Sequence, residues 1–232
     1  MGFGAACPRP QIDASTIACD SSLSSGWSQR RPSIRVSALA VPTRQGVHCP
    51  QDSSEKNFIT LRAAAVSESR PSRILGLLND AIRRQTPDQS CTVACGRLDV
   101  DGANGARVTL SVGGHPLPLV LRADGQVEPV GEPGTMLGVL PDPQLADQTA
   151  DLAPGDALVL YTDGLTDAYA PGRLVKRAGL VAALESCAGR SATEIASGIQ
   201  EAVLGVHQDE PRDDIVLLVL RIPERRAGAH PR

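Results

Sequence analysis

The chain has 232 residues, 41% of them apolar and 21% charged, which is enough to bury a core without fibrous or solenoid organisation. Its aromatic residues are limited to Phe3, Trp27, Phe58, Tyr161 and Tyr169, too few for the base-stacking platform that single-stranded nucleic acid requires. The net charge of −3 is uneven, with +2 over residues 1–57, −7 over 58–222 and +2 over the last ten, so an acidic middle disfavours nucleic acid or an anionic membrane and suits a divalent cation.

Residues 1–57 contain twelve Ser and Thr and no sustained period apart from a short Val36–Val41 run, so this segment is expected to be disordered or unrelated to the domain that follows. Its start lacks a charged stretch leading into an apolar core, and no apolar run approaches the ~20 residues that span a bilayer. A cytoplasmic location with no membrane partner is the corresponding expectation. From Phe58, Ile59, Leu61 and the Ala63–Ala65 run suggest the end of a helix, and Ser-Arg-Pro-Ser then provides a cap for another. In that second helix Ile74, Leu75, Leu77, Leu78 and Ile82 recur at helical spacing to about Arg84, which predicts an amphipathic helix.

Short apolar stretches follow. Residues 92–100, 107–112 and 117–122 are strand-like, and Ala123-Asp124-Gly125 is a hairpin signal before residues 127–130. Cys91 and Cys95, four apart on a strand, share one face and are expected to be a buried reduced pair, since no second pair is near enough for zinc. After breaks at Gly131–Gly134 and Pro141–Pro143, strand pattern resumes at 145–152 and 157–161. Helices are predicted over 177–186 and 192–206, a closing strand over 214–222, and a loose tail from Pro223. Strands in a run with helices at both ends predict an α+β fold with antiparallel sheets.

Three features at strand boundaries could carry chemistry: Gly113-Gly-His-Pro116, Tyr161-Thr-Asp-Gly-Leu165 and Arg212-Asp-Asp-Ile215. The strand 158–161 leads to Asp163 on a turn, and Gly164 after it would permit close backbone approach to a ligand. Asp213 and Asp214 stand before an apolar strand, where adjacent carboxylates repel unless a cation or donor compensates. Each also has a plainer reading: Asp163 as a turn residue, the Asp pair as strand-edge gatekeepers, His115 as a hydrogen-bonded turn histidine, and Asp156 in Pro154-Gly-Asp156 as an ordinary turn.

The order of these features is informative. With Leu61-Arg-Ala-Ala-Ala65, Leu77-Leu-Asn79, Cys91-Thr-Val-Ala94, Gly113-Gly-His-Pro-Leu-Pro118, Gly134 to Gly138, Leu152 through Gly164, and Arg212-Asp-Asp-Ile215, residues 58–222 resemble the C-terminal two-thirds of the SpoIIE-type branch of the metal-dependent, type 2C-like serine/threonine protein phosphatases. The resemblance implies two antiparallel β-sheets flanked by helices, with two Mn2+ or Mg2+ ions at one edge. It implies Asp163 and Asp213 as ligands, with Asp214 as a supporting group or the alternative ligand, and Gly164 and His115 as supporting residues. It further implies hydrolysis of phosphoserine or phosphothreonine on a partner such as an anti-sigma-factor antagonist.

Family members also have, upstream of Leu-Arg-Ala-Ala-Ala, a Gly-Asp-(Trp/Phe)-Tyr-Asp strand and a Gly-Asp-Val-x-Gly-(His/Lys)-Gly turn that supply further metal aspartates. Neither is present here, and residues 1–57 offer only Asp13, Asp20 and Asp52. The N-terminal third of the domain is accordingly expected to be lacking, and each missing carboxylate removes both a ligand and compensating charge. A phosphatase is therefore weighed against a pseudophosphatase that binds partners without turnover or a truncated product, and against an unrelated α+β domain.

Overall fold

The protein is represented by a computed structural model that describes residues 16–20, 33–34, 40–41, 51–85, 89–100, 105–167, 177–204 and 215–224. Two helices, α1 (Gln51–Ser67) and α2 (Pro71–Gln85), precede the central run of strands. The Asp147 carboxylate caps α2, accepting from the Ser72 N–H at 2.7 Å and the Ser72 hydroxyl at 2.8 Å, which satisfies a donor that the helix leaves open. Six strands follow: β4 (Thr92–Val100), β5 (Ala106–Gly113), β6 (Leu119–Leu121), β7 (Val127–Pro129), β8 (Gln148–Leu152) and β9 (Ala157–Tyr161). The one-turn α3 (Gly164–Asp167), α4 (Arg177–Glu185) and α5 (Ala192–Leu204) precede the last strand, β10 (Leu217–Arg221).

Residues 1–57 include β1 (Thr16–Asp20), β2 (Ser33–Ile34) and β3 (Ala40–Val41), and α1 begins within them at Gln51. Strands of two to five residues are too short to show a period, and their partners lie far along the chain: β1 runs parallel to β10, whereas β2 and β3 pair antiparallel with β4. One sheet has the order β1-β10-β9-β6-β7 and the other β2-β4-β5-β8. Both are antiparallel apart from the β1–β10 pairing.

Side-chain alternation stacks these sheets between helices. In β9, Ala157, Val159 and Tyr161 face α4 and α5 with Leu119, Leu121, Leu217 and Val219, joined by Leu180, Leu184, Ile195 and Ile199. Leu158 and Leu160 face the other way, meeting Val108, Leu110, Val112 and Leu98 of the second sheet. On that sheet's outer side Cys91, Val93 and Cys95 pack under Leu61, Leu75, Leu78 and Ile82 of α1 and α2. Cys91 and Cys95 are thus a buried, unbridged pair on one face, as their spacing predicts. All five residues of β9 are buried because the strand is covered on both faces. No helix among the described residues is long and apolar enough to cross a membrane.

Candidate metal centre

The site is built where β9 and β10 run out. Their register pairs Leu217 with Tyr161, and Thr162 carries the ladder one step further: its N–H donates to the Val216 carbonyl at 3.1 Å, and its Oγ1 accepts from the Val216 N–H at 3.0 Å. The chain then turns into α3. Leu165 N–H donates to the Thr162 carbonyl at 3.0 Å, and Thr166 donates its N–H and its hydroxyl to the Asp163 carbonyl at 2.8 and 3.0 Å. Asp163 is therefore fixed at the sheet edge by its backbone, with its carboxylate half-buried. Its Oδ1 accepts from the Gly164 N–H at 3.1 Å, and no Lys or Arg among the described residues pairs with it.

Gly164 serves as the first residue of α3 and is not among the described glycines with left-handed φ. Continuing the β9–β10 register by two residues sets buried Ile215 opposite Asp163. Asp213 and Asp214 immediately precede Ile215 in sequence and lie outside the described residues. Replacing Thr162 by Val removes the acceptor for the Val216 N–H. We expect a loss of about 1–2 kcal/mol, read as a lower denaturant midpoint with unchanged slope.

His115 approaches from the second sheet. It follows the end of β5, is 5% exposed, and its Nδ1 lies 3.0 Å from the Pro116 carbonyl oxygen. A carbonyl only accepts, so the bond assigns the proton to Nδ1 and leaves Nε2 with a lone pair. Nε2 is buried and without a hydrogen-bond partner among the described residues. Burial pushes the His115 pKa below its ordinary value, against the Pro116 bond and the charge of Asp163.

The turn bearing His115 is held by two further runs singled out in the sequence. Gly114 N–H donates to the Gly134 carbonyl at 2.9 Å, and a Cβ on Gly134 would strike the Val112 carbonyl oxygen. Gly138 has φ of +89°, and a Cβ there would strike the Gln89 carbonyl oxygen, so both glycines are required by close backbone approach. From α2, fully buried Asn79 accepts from the Gly138 N–H at 2.8 Å and donates to the Leu140 carbonyl at 3.1 Å. Asn79→Ala strands both backbone groups. A loss of about 2 kcal/mol is expected in chemical denaturation.

Asp156, expected to be an ordinary turn residue, is a buried clamp. It accepts from Arg122 at 2.7 Å and from the Ala123 and Ala153 N–H groups at 3.0 Å each. Arg122 also pairs with Glu128 and donates to the Asp151 carbonyl at 2.8 Å. This cluster lies at the opposite end of β9 from Asp163.

Whether the edge suits a divalent cation can be tested on its donors. A half-buried carboxylate with no cationic partner among the described residues is a hard oxygen donor of the kind a divalent cation takes. Yet no three His, Cys, Asp or Glu side chains among the described residues converge on one point. In the parallel β1–β10 register Asp20 stands opposite Arg221, six residues along β10 from Ile215 and thus about 20 Å from the Asp163 edge. Among the described residues Asp163 thus offers a single carboxylate, and a metal ion held there would need further ligands outside them.

A family model for stage II sporulation protein E (SpoIIE) matches residues 57–223. Among curated proteins, the phosphoserine phosphatase RsbU of Bacillus subtilis (strain 168) is 25% identical over 151 residues, which is 65% of this chain and 45% of RsbU. The crystal structure of the RsbU and RsbW domains of Rv1364c from Mycobacterium tuberculosis superposes with a TM-score of 0.67 at 24% identity, covering 90% of this chain and 58% of that one. The PP2C phosphatase domain of SpoIIE from Bacillus subtilis, with a fragment of its regulatory domain, gives 0.66 at 18% identity, covering 82% and 55%. The chain spans less than two thirds of the length of each of these three. The structural likenesses establish the two-sheet fold.

Proposed function

Since the chain belongs to the SpoIIE family of PP2C-like phosphatases, we propose that it hydrolyses phosphoserine or phosphothreonine on a partner protein, in a metal-dependent reaction that serves sigma-factor regulation. The observation that carries this reading is Asp163. It is a half-buried carboxylate without an ion pair among the described residues, at the end of a strand buried on both faces and opposite the residue that Asp213-Asp214 precedes. A substrate such as a phosphorylated anti-sigma-factor antagonist fits the family role.

Mn2+ or Mg2+, when bound, lowers the pKa of a coordinated water and neutralises charge on the phosphoryl oxygens. Asp163 supplies a hard oxygen ligand, and Asp213, with Asp214 as a supporting or alternative group, is the companion expected from the resemblance. Thr162 keeps β9 and the segment leading into β10 in register, so that Asp163 and Ile215 stay opposite each other. In the reaction water adds to phosphorus, the P–O bond to the serine or threonine oxygen breaks, and the water's proton passes to that oxygen, releasing inorganic phosphate and free hydroxyl. No covalent phosphoenzyme is required.

The test is release of inorganic phosphate from a phosphoserine peptide by the purified chain across a Mn2+ series. Metal-dependent release supports the reading, and no release at any Mn2+ concentration sinks it. A second reading, a pseudophosphatase that binds its partner without turnover, is favoured by the absence of the two upstream Gly-Asp runs and by the position of Asp20 away from the site. Stoichiometric tight binding of two ions would exclude it.

A further inference from the structure

We infer that the outer face of α2 pairs with the same face of a second copy of this chain, antiparallel and about a two-fold axis at Leu77. The inference stands apart from the reading of Asp163.

Three observations carry it. The first is a stripe: helical spacing puts Arg73, Leu77, Asp80 and Arg84 on one side of α2, away from Leu75, Leu78 and Ile82 in the core, and all four are exposed. Leu77 is 48% exposed, and α1 in the same layer exposes Ile59 and Val66 at 64% and 81%. Grouped apolar side chains in water mark an interaction surface.

The second observation is Gly76, beside Leu77 in the helix interior. A Cβ built there meets nothing within 4 Å, and its φ is not left-handed, so neither packing nor backbone conformation within the chain calls for glycine. Glycine weakens a helix interior relative to alanine. What it provides here is a strip of bare backbone next to an exposed leucine, a hole that a side chain from outside can enter.

The third is charge. Arg73 has no ion pair among the described residues, and Asp80 reaches only Arg84, at 3.9 Å and with both side chains more than half exposed, a contact worth little. In an antiparallel pair centred on Leu77, residues three positions after the centre face those three before it. Asp80 of each copy then meets the Arg73 end of the other, while each Leu77 packs on its counterpart and over the opposite Gly76. Parallel pairing would set Arg73 on Arg73 and Asp80 on Asp80. The two-fold arrangement is self-complementary and closes as a dimer.

Sedimentation velocity of the full chain, from about 5 to about 500 µM, is expected to show wild type shifting from monomer towards dimer, since a face of this size supports association no tighter than micromolar. Leu77→Glu is expected to stay monomeric throughout. Arg73→Asp and Asp80→Arg should each weaken the dimer about tenfold, and the double variant should return to within about threefold of wild type. Gly76→Ala should raise the urea midpoint of the dilute monomer and yet weaken the dimer by at least about threefold, because its methyl group fills the hole.

A chain that is still monomeric at about 500 µM overturns the inference. So does a dimer that Leu77→Glu leaves intact, or a double charge reversal that associates no better than the single ones. The charge reversal does not depend on how Leu77→Glu folds, because it predicts a gain of association. None of these results touches the phosphatase reading, since Arg73, Gly76, Leu77 and Asp80 lie outside the site described above.

Discussion

Asp163→Asn is expected to cut Mn2+-dependent phosphate release from a phosphoserine peptide by at least about 100-fold, since loss of groups that merely orient metal ligands already costs 10–100-fold. The substitution is nearly isosteric, and the amide oxygen can still accept from the Gly164 N–H that now lies 3.1 Å from Oδ1. The backbone bonds from Leu165 and Thr166 into Thr162 and Asp163 do not involve the carboxylate. Stability is therefore expected to change by less than about 1 kcal/mol, and the loss should appear in phosphate release and metal affinity with the unfolding midpoint almost unmoved. A variant that retained metal-dependent release would remove Asp163 from the site.

The largest effect on stability is expected at the far end of the same strand. Asp156→Ala deletes the acceptor of one guanidinium and two backbone N–H groups. Its carboxylate is 4% exposed against 29% for the Arg122 side chain, so part of the ion pair is screened by solvent and the backbone donors dominate the cost. About 3 kcal/mol should be lost, a large fraction of the 5–15 kcal/mol of a typical domain. Asp156→Asn, which keeps an acceptor oxygen, should lose about half as much. Urea unfolding followed by circular dichroism reads both, and a loss under about 1 kcal/mol for Asp156→Ala would show that the clamp is dispensable. The two aspartates thus separate: Asp163 should affect chemistry with little effect on stability, and Asp156 the reverse.

The fold was legible where burial writes a pattern into the chain. β9 and β10 read as continuous apolar runs because helices cover one face and the second sheet the other, and α2 showed its period because only one face packs on β4 and β5. β1, β2 and β3 left no such mark: five residues or two carry no period, and a parallel pairing of Thr16–Asp20 with Leu217–Arg221 joins segments almost the whole chain apart. The one-turn α3 was hidden for the same reason.

At the site, Asp163 and His115 could be singled out because each stands beside glycine or proline at a strand end. The groups that hold the site could not, since what identifies them is a distant backbone partner. Thr162 meets Val216, and Asn79 meets Gly138 and Leu140; at the far end of β9 Asp156 likewise meets Arg122 and Ala123. A residue type alone does not reveal such pairings; Asp156 reads as a turn residue until its partners are in place. Asp213 and Asp214, also picked out by sequence, lie outside the described residues, and their roles as ligands stand as part of the proposal.

The most direct measurement is isothermal titration of the full chain with Mn2+, in parallel for wild type and Asp163→Asn. Saturable binding by wild type that weakens at least about 100-fold in the variant is the predicted result. Indistinguishable binding curves for the two proteins would contradict a metal centre at Asp163.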